Sequence, residues 1–193
     1  AEPSTADGTR REAWASHKSF KPKDGPPSGG GAGCDGMVDF RGQRRSNDTH
    51  HCTTDEEAKL GRKGKGKEAK LCFGGHILME NRHGLCADFA IHNPITDPEP
   101  VMALRQVDEQ TQFYGRPQPK TVAGDKGYHQ RAFVSGCRER EISPHVACKA
   151  GVQVPGLDGR TTTKSGYKTS QRIRKRVEEI FGWIKTVGGL RRS

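Results

Sequence analysis

Apolar residues are scarce in this chain. They make up 31% of its 193 positions and aromatics 6%, and only with its 25 Gly counted does the chain reach about 44%, just under the roughly 45–50% usual for a compact domain on that count. No run of ~18 apolar residues occurs, which excludes a transmembrane helix. A basic stretch followed by an apolar one is missing from the N-terminus AEPSTADGTRREAW, which excludes a signal peptide there, and the missing initiator Met is read as a start lying upstream. The six cysteines (Cys34, Cys52, Cys72, Cys86, Cys137, Cys148) include no C-x-x-C pair, and no His stands at zinc-finger spacing from a Cys pair. The nearest approach to a ligand cluster is His50-His51-Cys52, and three consecutive residues of regular structure cannot all face one ion. Scattered thiols without a secretory signal read as reduced, intracellular cysteines.

What the chain has in excess is positive charge and glycine. Lys and Arg number 33 against 23 acids, a net charge of +10. The surplus is concentrated. From Arg160 to Ser193 there are ten basic residues and two acids, so that segment carries +8 of the +10. A basic end of this kind is the footprint of a polyanion binder, or else a merely solvated surface. Gly and Pro total 36 (25 plus 11), and Gly25–Gly36 (GPPSGGGAGCDG) and Arg62–Lys67 (RKGKGK) read as a flexible linker and a Gly-broken basic loop. Residues 18–66 are therefore expected to be largely irregular.

Regular structure is expected from Ala69 onward. The runs Ala69–Met79 and Gly84–Ile91, separated by Asn81-Arg82-His83-Gly84, predict a hairpin. Pro98–Phe113 has apolar residues at helical spacing, with Pro100 in the first turn. Lys120–Gly124 reads as a strand ending in the Asp125–Tyr128 turn, His129–Glu141 as a helix, and Pro144–Cys148 as a strand. Gly151–Lys168 reads as irregular. A final helix begins near Thr169 or Ser170 and carries Ile173, Val177, Ile180, Phe181, Ile184 and Val187 as one stripe. Near the start, Asp7-Gly8 reads as a turn before a helix over Arg11–Ser16. The pattern is mixed α/β.

Three acids stand out by position. Asp125 ends a strand, where α/β folds place ligand groups. Asp7 sits in a second acid–Gly pair. Glu178 shares a helical face with Gln171, Arg174 and Lys185, whereas Glu179 faces Arg172, Lys175 and Arg176. Each acid alone is ordinarily a turn residue or a surface ion pair.

Taken together, four phrases resemble the catalytic core of bacterial insertion-sequence DDE transposases: DGTRREAWASHKSFKPKD, RSNDTHHCTTDEEAKLGRKGKGKEAKLCFGGHILMENRHG, GDKGYHQRAFVSGCRE and SQRIRKRVEEIFGWIKTVGGLRR. The resemblance implies a ribonuclease-H-like fold, a mixed sheet flanked by helices, interrupted by a long irregular Gly/Lys-rich insertion. It implies a division into residues 1–17 (first acid), 18–66 (linker or insertion) and 67–193 (main core). Asp7, Asp125 and Glu178 match the family's acid triad, which holds two Mg²⁺ or Mn²⁺ ions ~3.5–4 Å apart for phosphoryl transfer. The terminal signature (Tyr, then Arg, Glu and Lys) is met by Arg174, Glu178 and Lys185, with Gln171 in place of the Tyr. Arg174 and Lys185, with Lys126 and Arg172, are the implied contacts to DNA phosphates. The implied partner is duplex DNA, both transposon ends and target, held by a homodimer in the bacterial cytoplasm at the nucleoid, with no membrane. Arg10 and Arg11 stand where the family has apolar residues, only Ser4–Ala6 precede Asp7 as strand, and the family's N-terminal DNA-binding region is missing, so the resemblance is to a truncated or degenerate copy. The readings left open are a strand-transferase core, a non-catalytic DNA-binding remnant and a poorly folded product without function.

Overall fold

The computed structural model describes residues 2–24, 45–62, 66–93, 95, 98–189 and 191. The Gly25–Gly36 linker and residues 63–65 of the Arg62–Lys67 loop lie outside them. In chain order the elements are β1 (Ser4–Glu12), β2 (Phe20–Pro22), β3 (His50–Cys52), β4 (Lys59–Arg62), β5 (Ala69–Glu80), β6 (Cys86–His92), α1 (Glu99–Gln112), β7 (Thr121–Gly124), α2 (Arg131–Glu139), β8 (Ser143–Val146), α3 (Gly159–Thr162), α4 (Ser165–Ile173) and α5 (Val177–Thr186), with a 3₁₀ turn joining α4 to α5.

The main sheet runs β4-β5-β1-β7-β8, and β6 also pairs with β5. β5 is the organiser. From Cys72 to Glu80 its inner edge pairs antiparallel with β1, from Ser4↔Glu80 to Glu12↔Cys72. Its outer edge is shared: Ala69–Cys72 pair with β4 and Gly74–Met79 with β6. β7 then joins β1 in parallel at Ser4↔Val122 and Thr5↔Ala123, and β8 joins β7 in parallel. The sheet is mixed and has helices on both faces, the ribonuclease-H-like architecture expected.

Alternation along the strands decides which helix lies where. Ala6, Leu78 and Val122 face Ala103 and Val107 of α1 and Phe133, Val134 and Cys137 of α2 in one buried cluster. Ile77 and Met79 face the other way and pack on Val177 and Phe181 of α5, with Phe89, Ile173, Ile180 and Ile184 around them. The expected stripe on the last helix is thus its packing face, except Val187, which is 77% exposed. A third cluster of Ala13, Phe20, Cys52, Ala58 and Leu71 seats the β2–β3 pair under the start of β5. Polar ties fix the helices: Gln106 of α1 donates to Asp88 of β6 at 2.7 Å, and Arg140 grips Asp108 through two bonds of 2.7 and 2.6 Å. Five cysteines are unpaired thiols, and Cys34 lies outside the described residues.

Three expectations are corrected. Arg11–Ser16 is not a helix, because β1 continues through Glu12, held by its full register with β5. Within residues 18–66, β2, β3 and β4 are regular, and β4 extends the main sheet. Gly151–Lys168 is not irregular throughout, since it holds α3 and the start of α4. Asp158 caps α3 by accepting from the Arg160 amide at 2.9 Å, and α4 is tied down by polar contacts, including Tyr167 donating to the Val146 carbonyl at 2.8 Å.

Phe181 is 7% exposed at the centre of the α5 cluster, so Phe181→Ala is expected to cost about 3–5 kcal/mol in urea denaturation. Its neighbour Gly182 has nothing within 4 Å of a built Cβ. Gly182→Ala is expected to stabilise by up to about 1 kcal/mol through helix propensity.

Candidate active site

The site originates in a mismatch of strand length. β7 ends at Gly124, while β1 runs on to Glu12. The parallel register Thr5↔Ala123, continued by two residues, sets Asp7 level with Asp125. Beyond Thr5, the edge of β1 that β7 covered is open, and a cleft of about 590 Å³ forms there. Asp7, Asp125, Glu178, Glu99, Arg10 and Lys185 line it.

Each acid is positioned by a different element. Asp7 lies in mid-strand on the α5 side of the sheet, and its Oδ1 accepts from the Gly8 amide at 2.8 Å. Asp125 caps the 3₁₀ turn after β7, with Oδ1 accepting from the Gly127 amide at 2.6 Å. Glu178 stands exposed in the first turn of α5. Beneath them, Gly124 gives the Tyr128 ring room against the strand end, since a Cβ there would lie 2.7 Å from Tyr128 Cγ. Burial and the nearby acids push the Tyr128 phenol well above its usual range, so it stays protonated.

The electrostatics are those of crowded negative charge. Asp7 is pushed from 3.8 up to about 6, first by desolvation, with Asp125 and Glu178 adding to the rise while the Gly8 amide and Arg174 oppose it. Like charges and burial together disfavour the ionised form. Among the described residues, the carboxylate oxygens of Asp7, Asp125 and Glu178 do not all lie within 4.8 Å of one another.

The expected cations occupy distinct places. Lys185 lines the cleft, donates to Thr9 Oγ1 at 2.5 Å and lies 5.8 Å from the Phe181 ring centroid. Arg174 is half-buried, donates to Gln171 Oε1 at 3.2 Å, and is near enough to Asp7 to oppose its upward shift. Gln171 itself donates to the His145 carbonyl of β8, which directs it to the sheet. Lys126 and Arg172 are exposed at the surface and do not line the cleft.

Sequence reasoning missed Glu99. It opens α1 just after Pro98, and a Cβ on residue 8 would fall 2.5 Å from its Cδ, so Gly8 is what lets this fourth carboxyl reach the cleft. Desolvation, Asp7 and Asp125 push Glu99 upward as well. An acid in a first helical turn is so ordinary that nothing in the sequence distinguishes it. A second cluster, Glu2, Glu80 and His83, has donor atoms within 4.8 Å of one another, and there Glu80 serves as the cap of the β5–β6 turn, accepting from the Arg82 and His83 amides.

The raised Asp7 has a consequence for stability. The folded chain holds its proton more tightly than the unfolded chain does, so stability falls as pH rises from about 4 through about 6, by about 3 kcal/mol for this shift. In EDTA, Asp7→Asn is expected to melt with the wild type near pH 4 and several degrees above it at pH 7.5. Equal melting points at both pH values would contradict the desolvated acid.

A family model described as the transposase DDE domain matches residues 40–193; Asp125, Glu178, Arg174 and Lys185 fall inside the match, and Asp7 lies before it. No curated protein and no solved structure matches the chain. With a match over most of its length and the mixed sheet and acidic cleft described above, the chain belongs to the transposase DDE domain family.

Proposed function

We propose that this chain is the catalytic core of a bacterial insertion-sequence transposase, in which Asp7, Asp125 and Glu178 hold two divalent ions, Mg²⁺ or Mn²⁺, and cut and rejoin DNA strands. The observation that carries the reading is the opening at the end of β7, where carboxyls from β1, the β7 turn and α5 line one cleft. The donor set fits such ions: all three groups are hard carboxylate oxygens, and the strongly raised Asp7 marks a place where a cation would relieve both repulsion and desolvation. When bound, the ions supply activation of the attacking oxygen and stabilisation of the leaving oxygen.

The chain's own residues supply position and charge. Asp7 and Asp125 are fixed by amide hydrogen bonds of 2.8 and 2.6 Å, so their orientation is set before substrate arrives. Lys185 on α5 and Arg174 in the 3₁₀ turn before it flank the carboxylates, where they would hold backbone phosphates of the scissile strand. Exposed Lys126 and Arg172 extend the positive surface for duplex DNA, both transposon end and target. A homodimer on DNA, at the nucleoid, is the working assembly in this reading, with residues 1–17 and 67–193 as the core.

A second reading is a DNA-binding remnant without catalysis. It is favoured by one observation: the three carboxylates are not gathered within 4.8 Å. Strand nicking separates the two. With Mg²⁺ or Mn²⁺, supercoiled DNA is expected to be nicked by the wild type, at least 100-fold less by Asp125→Asn or Glu178→Gln (the scale on which loss of one electrostatic group acts), and at the wild-type rate by Glu179→Gln. No nicking with either ion, while duplex binding persists, establishes the remnant.

Duplex binding has its own test. The logarithm of affinity is expected to fall steeply with salt, and charge reversal at Arg174 together with Lys185 should reduce that slope by about two. Affinity unchanged between about 50 and 200 mM salt would make the basic face a solvated surface.

A further inference from the structure

A second groove, of about 560 Å³, adjoins the carboxylate cleft, and the two share Arg10 and Lys185 in their walls. It lies over β4 and β5, and the exposed Lys67 and Arg191 line it without lining the cleft. Among the described residues, the lining holds five cations (Arg10, Lys67, Lys70, Lys185, Arg191) and two acids, Glu12 and Glu68. Both acids are engaged by Lys70, at 2.8 and 3.9 Å. The described lining is therefore net positive, with Arg10 and Lys185 shared with the cleft and Lys67 and Arg191 outside it.

Arg10, like Arg11, is a side chain that the family resemblance leaves unexplained, standing where an apolar residue is usual. It lies on the same strand as Asp7, and its Nε would be 3.6 Å from a Cβ on Gly61, so the absent side chain at Gly61 leaves room beside it. Its Nη1 is buried and, among the described residues, makes no hydrogen bond, while the residue itself lines both grooves. A buried guanidinium nitrogen without an acceptor is costly, and a planar fork of donors suits phosphate oxygens best.

We propose, resting on the DNA-processing reading above, that Arg10 holds a phosphate between the two grooves, and that the second groove carries the backbone of a single nucleic-acid strand leaving the carboxylate cleft. Five cations along a groove continuous with the cleft match a polymer of phosphates better than one small anion. No aromatic side chain is among the described lining residues, so in this reading bases are not stacked and the grip is indifferent to sequence. The strand enters past Lys185, meets the part of Arg10 that lines both grooves, and continues past Lys67 and Arg191.

The test uses the full chain in EDTA, so that it stands apart from metal chemistry. Fluorescent 12-nucleotide strands of thymidine or adenosine are titrated at 50–200 mM salt against wild type, Arg10→Met, Arg10→Lys, Lys67→Met and Lys120→Met. Lys120 precedes β7 at the end remote from Asp125 and is the control. Arg10→Met is expected to weaken binding roughly tenfold and to lower the salt slope by about 0.7, the single-strand value for one phosphate. Lys67→Met should lower the slope similarly, Arg10→Lys should keep it, Lys120→Met should change nothing, and both strands should bind alike. The proposal is overturned if Arg10→Met binds as the wild type does, if Lys120→Met loses as much, if inorganic phosphate at equal phosphate concentration competes as well as the strand, or if blunt duplex binds as tightly with the same dependence on Arg10. Should Arg10→Met fail to fold, as judged by melting, Arg10→Lys and Lys67→Met decide the matter by the same slopes. Loss of nicking in the metal experiment would leave these slopes unaffected, so the two readings fail separately.

Discussion

The unequal length of two parallel strands is the constraint on which the site depends. β7 leaves β1 uncovered after Thr5, and the uncovered edge is where Asp7, Asp125 and Glu178 line one cleft. Had β7 continued, hydrogen bonding and side-chain alternation would have filled that space with sheet. Instead, Asp125 turns the chain by capping its own 3₁₀ turn, and α5 closes the opening from above. The acids are consequently held by three elements that cannot move independently of the sheet.

That arrangement works against stability. Burial and like charge push Asp7 and Glu99 upward, so the folded chain near neutral pH carries an electrostatic load that hydrophobic packing must offset. The offset comes from both faces: α1 and α2 on one side, and the Val177–Phe181 contact with Ile77 and Met79 on the other. A site that is costly without a bound cation is common where function needs charge held in readiness. The cations near it serve different ends. Arg174 tempers Asp7, and Lys185 anchors α5 to Thr9.

Much of this was legible in the residues. The β5–β6 hairpin showed in two apolar runs split by Asn81–Gly84, α1 in its spacing, and the α5 packing face in the stripe from Ile173 to Ile184. Asp125 was placed correctly at a strand end. β1 was not legible, because STADGTRRE has no apolar alternation: Thr5 is buried by donating to Asn81 at 2.6 Å, and Arg11 is buried at 6% exposure. What makes this segment a strand is its partner β5, a long-range pairing that no local propensity records. The α3–α4 region failed for a related reason. Its buried residues are Thr161 and Ser170, and Ser170 is stapled to His145 at 2.8 Å, so the signal is a hydrogen-bond network and not a hydrophobic period. Glu99 needed Gly8 beside it in space, and sequence separation hides that.

The most direct measurement of the central claim is a Mn²⁺ titration of the wild-type chain followed by melting temperature, since an ion that binds only the folded site stabilises it by linkage. The account predicts a saturable rise that disappears in Asp125→Ala and in Glu178→Ala and survives in Glu179→Ala. No rise in the wild type, or the same rise in all four proteins, would contradict it.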